Sequence, residues 1–148
     1  MKVISVKQPW GSLLVSGLKN IENRTWSTPY RGWLLIHASQ TGMPSYVLSN
    51  DFQKNALKSI TNNGNSMLPF SSIIGACLLD DITFGVDGDN RWSDKNCFHW
   101  HMSRAIKFDK PIDMVKGKLK IWEFNLPEKY EEEFITKSKN KNYVFSKD

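Results

Sequence analysis

Cysteine is scarce in this 148-residue chain, with only Cys77 and Cys97 present. Two widely spaced thiols fit reduced side chains in a cytoplasmic setting better than a disulfide framework. Histidine is nearly as rare, at three residues. Cys97, His99 and His101 share one face of a strand, but they reach along a line of about 14 Å, a poor tetrahedron for zinc. The acidic run Asp87-Gly88-Asp89-Asn90 lacks the ordered ligand series of a calcium loop. No metal and no cofactor is therefore expected. Long apolar runs are missing as well. The longest, Ile73 to Leu79, has seven residues, whereas a membrane span needs about twenty, so no membrane partner is expected. Lys7 follows Lys2 too closely for the opening residues to read as a secretory leader. Internal repeats are absent, which excludes a solenoid.

What the chain does have is 40% hydrophobic residues, 24% charged residues and a net charge of +5. Those proportions suit one globular domain that needs no covalent staple. The charge is uneven. Lys2, Lys7, Lys19, Arg24 and Arg31 against Glu22 leave the stretch from Met1 to Ile36 at +4. Four lysines against Asp148 leave Lys137 to Asp148 at +3, so the residues between carry −2. We expect a single domain over residues 1–136 and a basic, flexible tail over 137–148. A basic amino-terminal third on a mildly acidic body is what a localised phosphate-facing surface would produce.

Periodicity supplies the elements. Lys2 to Lys7 alternates as a short strand, and Pro9 then opens a short helix with Trp10, Leu13, Leu14 and Leu18 at helical spacing. Gly17 suits the end of that helix. Asn20 to Trp26 and Trp33 to Ala38 read as strands on either side of the turn Thr28-Pro29-Tyr30-Arg31-Gly32. Pro44 to Ile60 has helical spacing, and Asn62 to Ser66 is a loop. Ile73 to Phe84 is a buried strand in which Gly75 marks a bulge or bend. Gly85 to Asn96 is polar and loop-like. Cys97 to Met102, Arg104 to Phe108 and Lys118 to Leu126 read as strands, and Pro127 opens a last helix carrying Tyr130 and Phe134. Five or six strands with two or three peripheral helices predict an α+β fold built on a small mixed β-barrel.

Gly17-Leu18-Lys19-Asn20-Ile21-Glu22-Asn23-Arg24 holds the most chemistry. A helix stops at the glycine, an ammonium follows, and a strand then presents Glu22 and Arg24 on one face, about 7 Å apart along the chain. Flanking cations favour an ionised Glu22. The cluster can hold a phosphate or pair with a base edge, since Arg fits planar acceptors and Glu accepts from an exocyclic amine. It can equally serve only to pin the helix to the sheet, and spacing alone leaves both readings open.

The run Ser5-Val6-Lys7-Gln8-Pro9-Trp10, then Gly17-x-Lys19-x-x-Glu22-x-Arg24, Arg31-Gly32 and a strand ending His37-Ala38, resembles the ASCH family. These activating-signal-cointegrator homology domains are similar in fold to the PUA domains of RNA-modifying proteins. The family hallmark G-x-K-x-x-E-x-R is present in full, and the Gly75 strand with Lys116 to Trp122 resembles the family's closing strands. The resemblance covers roughly residues 3 to 126. Gln8 to Gly32 is particularly similar to the ASCH domain of the eukaryotic transcription coactivator. It implies a PUA-like barrel and a cleft lined by Lys19, Glu22 and Arg24 that binds RNA or another nucleic acid, with a modified base among the candidates.

Beside that trio, Gln8 either reaches a base or fixes its turn. Trp26 either stacks a base or packs on the helix. Arg31 is a candidate phosphate contact, and His37, which ends a strand near the implied cleft, is either a site residue that could serve a hydrolase as acid partner or a packed histidine. Trp10, on the stripe of Leu13 and Leu14, reads as core. The resemblance also brings an enzymatic alternative, because some bacterial ASCH-like proteins are amidohydrolases acting on acetylated cytidine and others are ribonucleases. In the former a threonine stands three residues after the motif lysine. Here that position is Glu22, so a threonine mechanism does not transfer, and a hydrolase would have to use Lys19 and Glu22 as its catalytic pair. A tryptophan-rich surface leaves open a third role, protein partners in transcription or translation.

Overall fold

The structure is a computed structural model that describes residues 1–44, 47–86 and 91–140. The acidic run at 87–90 and the tail beyond residue 140 lie outside the described residues. Alternating apolar positions at the amino terminus form β1 (Lys2–Val6). Ile4 and Val6 enter a core beneath α1 (Trp10–Val15), while Val3 enters a second core on the other face of the sheet. Short polar connections then lead through β2 (Ile21–Arg24) to β3 (Gly32–Ala38), which is apolar on both faces because the sheet is covered on both sides. Leu34 and Ile36 join the first core and Leu35 the second.

α2 (Asp51–Ile60) starts later than the periodicity from Pro44 suggests. Asn50 decides the start, because its side chain accepts from Gln53 N and caps the first turn. Two long strands follow, β4 (Ser72–Gly85) and β5 (Cys97–Ile112), paired antiparallel along most of their length. The separate strands expected at 97–102 and 104–108 are one strand, whose pairing absorbs register shifts near Leu79 and Gly75. Gly75 is required there, since a Cβ would lie 2.0 Å from the Ile106 carbonyl oxygen. β6 (Ile121–Glu123) is shorter than expected, and α3 (Glu128–Ser138) follows Pro127. Lys137, in the last turn of α3, pairs with Asp109 at 2.7 Å and Glu133 at 2.8 Å.

The six strands form one mixed sheet in the order β2-β5-β4-β3-β1-β6, with β1 and β3 parallel and the other neighbours antiparallel. The α+β class holds. Closure into a barrel does not, because β2 and β6 form no ladder with each other among the described residues. β6 has only three residues with which to meet a partner. Instead Arg24, on the edge strand β2, reaches across the opening and donates from Nη2 to the Ser5 carbonyl of β1 at 2.7 Å. α3 covers the second core through Tyr130 and Phe134, and α1 covers the first through Leu14 and Val15. A third cluster joins Leu13, Ile21 and Trp92 to Ala56 and Ile60 of α2. The cleft described next opens between α1, β2, α2 and the β5–β6 connection.

Candidate functional site

The site begins at the end of α1. Gly17 adopts φ +80°, a left-handed turn that glycine enters without a steric penalty. The turn lets Lys19 N bond back to the Leu13 carbonyl at 3.0 Å, which fixes the Lys19 backbone against the helix. Its side chain runs inward and is only 2% exposed. The ammonium donates to the Ile21 carbonyl and to Glu22 Oε1, the latter at 3.1 Å, and stands 5.4 Å from the centre of the Trp10 ring. Glu22 is 6% exposed. Its Oε2 accepts from Arg24 Nε at 3.2 Å and lies 3.0 Å from Arg24 Nη2. Burial by itself raises a carboxyl pKa, but the Lys19 and Arg24 cations outweigh it and hold Glu22 below the usual carboxylate range. The three side chains are thus a buried, mutually paired unit with one positive charge in excess. Only Arg24 retains appreciable exposure, at 21%.

That unit is the floor of a cleft of about 470 Å³, not a sealed plug. A volume of this order accommodates a small ligand. Trp10 lines it too, so its ring is half-buried between core and cleft and not wholly core. Around the mouth stand Lys7, Lys118 and Lys120, all exposed and none of them ion-paired among the described residues. The cations of floor and rim number five, against the carboxylates of Glu22 and Asp94. Arg24 Nη1 also keeps its two N–H donors uncommitted among the described residues. The opposite wall is the segment from Arg91 to Asp94. Asn23 holds it by donating from Nδ2 to the Trp92 carbonyl at 2.8 Å and accepting from Asp94 N at 2.9 Å. Gln53 of α2 adds a bond to the Arg91 carbonyl at 2.7 Å.

Four other residues singled out from the sequence lie outside the cleft lining. Gln8 is buried and caps α1: its Oε1 accepts from Ser12 N at 2.9 Å, and its Nε2 donates to Ser12 Oγ and the Pro69 carbonyl. His37 is buried between Ser5 Oγ at 3.0 Å and the Val115 carbonyl at 2.7 Å. Desolvation lowers its pKa despite the Val115 bond, which acts the other way. Trp26 packs edge-on against Trp100, with ring centres 4.8 Å apart, and leaves its outer side to Lys120 at 5.8 Å. Arg31 is exposed and bonds the Thr28 and Tyr30 carbonyls of its own turn. Lys118, Lys120 and Asp94 were not singled out. For the two lysines a signal existed in the alternation Lys116-x-Lys118-x-Lys120, read there as strand. Among the described residues no cluster of His, Cys, Asp and Glu could hold a metal ion. No described helix is long and apolar enough to cross a membrane.

Chemically, the floor offers a fixed carboxylate and a guanidinium side by side, and the rim offers exposed ammonium groups. A base edge suits the first pair and a phosphate the second. Glu22, committed to two cations that hold its carboxyl below the usual range, is a weak general base.

In fold, the chain is similar to crystal structures of ASCH from Zymomonas mobilis in parent and mutant forms. They superpose with a TM-score of 0.51 at 13% identity, covering 91% of this chain and 93% of the parent chain. In sequence, 36 residues are 58% identical to activating signal cointegrator 1 of Homo sapiens and 56% identical to that of Mus musculus. The matched stretch is 24% of this chain and spans 6% of the length of each relative. The ASCH domain model matches residues 4–141, and with the fold in agreement the chain belongs to the ASCH domain family.

Proposed function

We propose that this chain is a nucleic-acid-binding module that seats one nucleotide of a single RNA strand in the cleft between α1, β2 and the β5–β6 connection. The observation that carries this reading is the set of uncommitted cations at the mouth. Lys7 from the β1–α1 connection and Lys118 and Lys120 from the β5–β6 connection, over a hundred residues later, line one opening without a carboxylate partner among the described residues. Phosphates are the natural complement of such a rim. A duplex keeps its base edges stacked inside, so a recessed floor favours an unpaired base.

The roles divide by burial. Lys19 spends its ammonium on Ile21 and Glu22 and acts by holding the floor. Glu22 and Arg24 face the base edge, Glu22 accepting and Arg24 Nη1 donating. Trp10 supplies an aromatic wall. Gln8 and His37 support the site by fixing the start of α1 and the β1–β3 edge of the cleft. Trp26, with its ring 5.8 Å from the Lys120 ammonium, stands beside the opening, where an extended strand would pass, whereas Arg31 is held by its own turn and Asp81.

The test is an electrophoretic mobility titration of the purified protein with a labelled single-stranded RNA at about 50 and 200 mM salt. Saturable binding that weakens with salt is expected. Each phosphate contact on a single strand contributes about 0.7 to the slope of log K against log salt. Lys118→Ala with Lys120→Ala should therefore flatten the slope by about 1.4 and weaken binding at low salt. A double variant with the parent slope and affinity, or a parent protein without saturable binding, would overturn the proposal.

A further inference from the structure

Asp94 lines the same cleft with its carboxylate exposed, and its backbone is held at both ends. Its N–H donates to Asn23 Oδ1 at 2.9 Å, and its carbonyl accepts from His99 Nε2 at 2.6 Å and Cys97 Sγ at 3.5 Å. Two residues earlier Trp92 is buried edge-on to Trp10 and Phe52, which anchors the wall. The carboxylate itself makes no hydrogen bond or ion pair among the described residues, although five cations line the cleft around it. An unpaired carboxylate on a fixed backbone is an odd thing to find in a polyanion site, because it repels phosphate. It becomes useful only if the ligand brings a donor to it, since an ionised carboxylate can only accept.

The order of groups in a nucleotide decides which donor that is. The base edge faces Glu22 and Arg24 on the floor, and the phosphates face the lysines at the mouth. The sugar lies between them, along the wall. We propose that Asp94 accepts a hydrogen bond from the ribose 2′-hydroxyl of the seated nucleotide and so makes the cleft prefer RNA to DNA. This inference rests on the nucleic-acid reading of the cleft. Deoxyribose offers only C–H at that place, which leaves the Asp94 charge uncompensated beside the backbone phosphates.

The experiment compares labelled single-stranded RNA and DNA of one sequence, composed of A, C and G only, by fluorescence anisotropy with the parent protein, Asp94→Ala and Asp94→Asn. The parent should bind RNA about tenfold more tightly than DNA, the worth of one hydrogen bond to a charged group. Asp94→Ala should bring the two affinities within about twofold of each other, chiefly by tightening DNA binding, because the repelling charge is gone. Asp94→Asn keeps an acceptor and should hold an intermediate preference. Both variants should unfold at the parent's urea midpoint, since no described side chain pairs with the carboxylate. A parent that binds both strands equally, or variants that bind and keep the parent's ratio, would overturn the role of Asp94 while leaving the cleft in place. A parent that binds neither strand would overturn the cleft reading, and the role of Asp94 with it.

Discussion

Glu22→Gln probes how the floor of the cleft is held. The carboxylate lies 3.1 Å from Lys19 Nζ and 3.0 Å from Arg24 Nη2, and Lys19 is 2% exposed. Removing the negative charge leaves a nearly buried ammonium with the Ile21 carbonyl as its remaining charge-free acceptor. Breaking a buried pair by removing one partner costs about 3–5 kcal/mol. Arg24 is partly solvated and recovers some of its loss, so the lower end, about 3 kcal/mol, is expected. For a chain of this size that corresponds to a Tm lower by roughly 6–12 °C. The acid limb should change as well. Burial raises the Glu22 pKa and the two cations lower it further, so the folded value lies below the unfolded one, near 4.3. Its contribution is present above about pH 4.3 and is lost as pH falls through the folded value. Urea unfolding followed by tryptophan fluorescence, from neutral pH down to about pH 3, reads both effects. The parent should lose stability more steeply than Glu22→Gln as the solution is acidified. A variant within about 1 kcal/mol of the parent at neutral pH, with the same acid limb, would refute the picture of an electrostatically closed floor.

Two further outcomes follow from the same geometry. Gly75→Ala should destabilise the protein by about 3 kcal/mol or prevent folding, because the new Cβ meets Ile106 backbone that cannot step aside; an unchanged urea midpoint would contradict the tight β4–β5 approach. Labelled RNA and acetylated cytidine incubated with the protein should be recovered intact, because an ionised, doubly paired Glu22 is a weak base; turnover that disappears in Glu22→Gln would reverse that expectation.

Local chemistry was readable from the residues; convergence from distant segments was not. The Gly17 turn, the short helix and the strand carrying Glu22 and Arg24 follow from spacing alone, and the structure brings that trio together within about twenty residues of the amino terminus. Their burial did not follow, because it depends on Trp10 and on the wall carried by Trp92, some seventy residues away. Gly75 signalled its bulge through the absence of a side chain. The continuity of β5 was hidden, since its register shifts break the alternation that marks a strand. That the sheet stays open was hidden for a similar reason: whether edge strands pair leaves little trace in either strand. Lys118 and Lys120 show the limit most clearly. They look like solvated strand positions until the β5–β6 connection carries them to the mouth of a cleft built by the first third of the chain.

The location of the ligand is the central claim, and it can be mapped directly. Labelled protein titrated with a short single-stranded RNA and followed by nuclear magnetic resonance should show its largest shifts at the Trp10 indole, at Arg24 and along Lys118 to Lys120. Signals from the separate hollow near Met67 and Pro69 should stay put. Shifts that cluster at that hollow, with Trp10, Arg24 and the two lysines unmoved, would contradict the account.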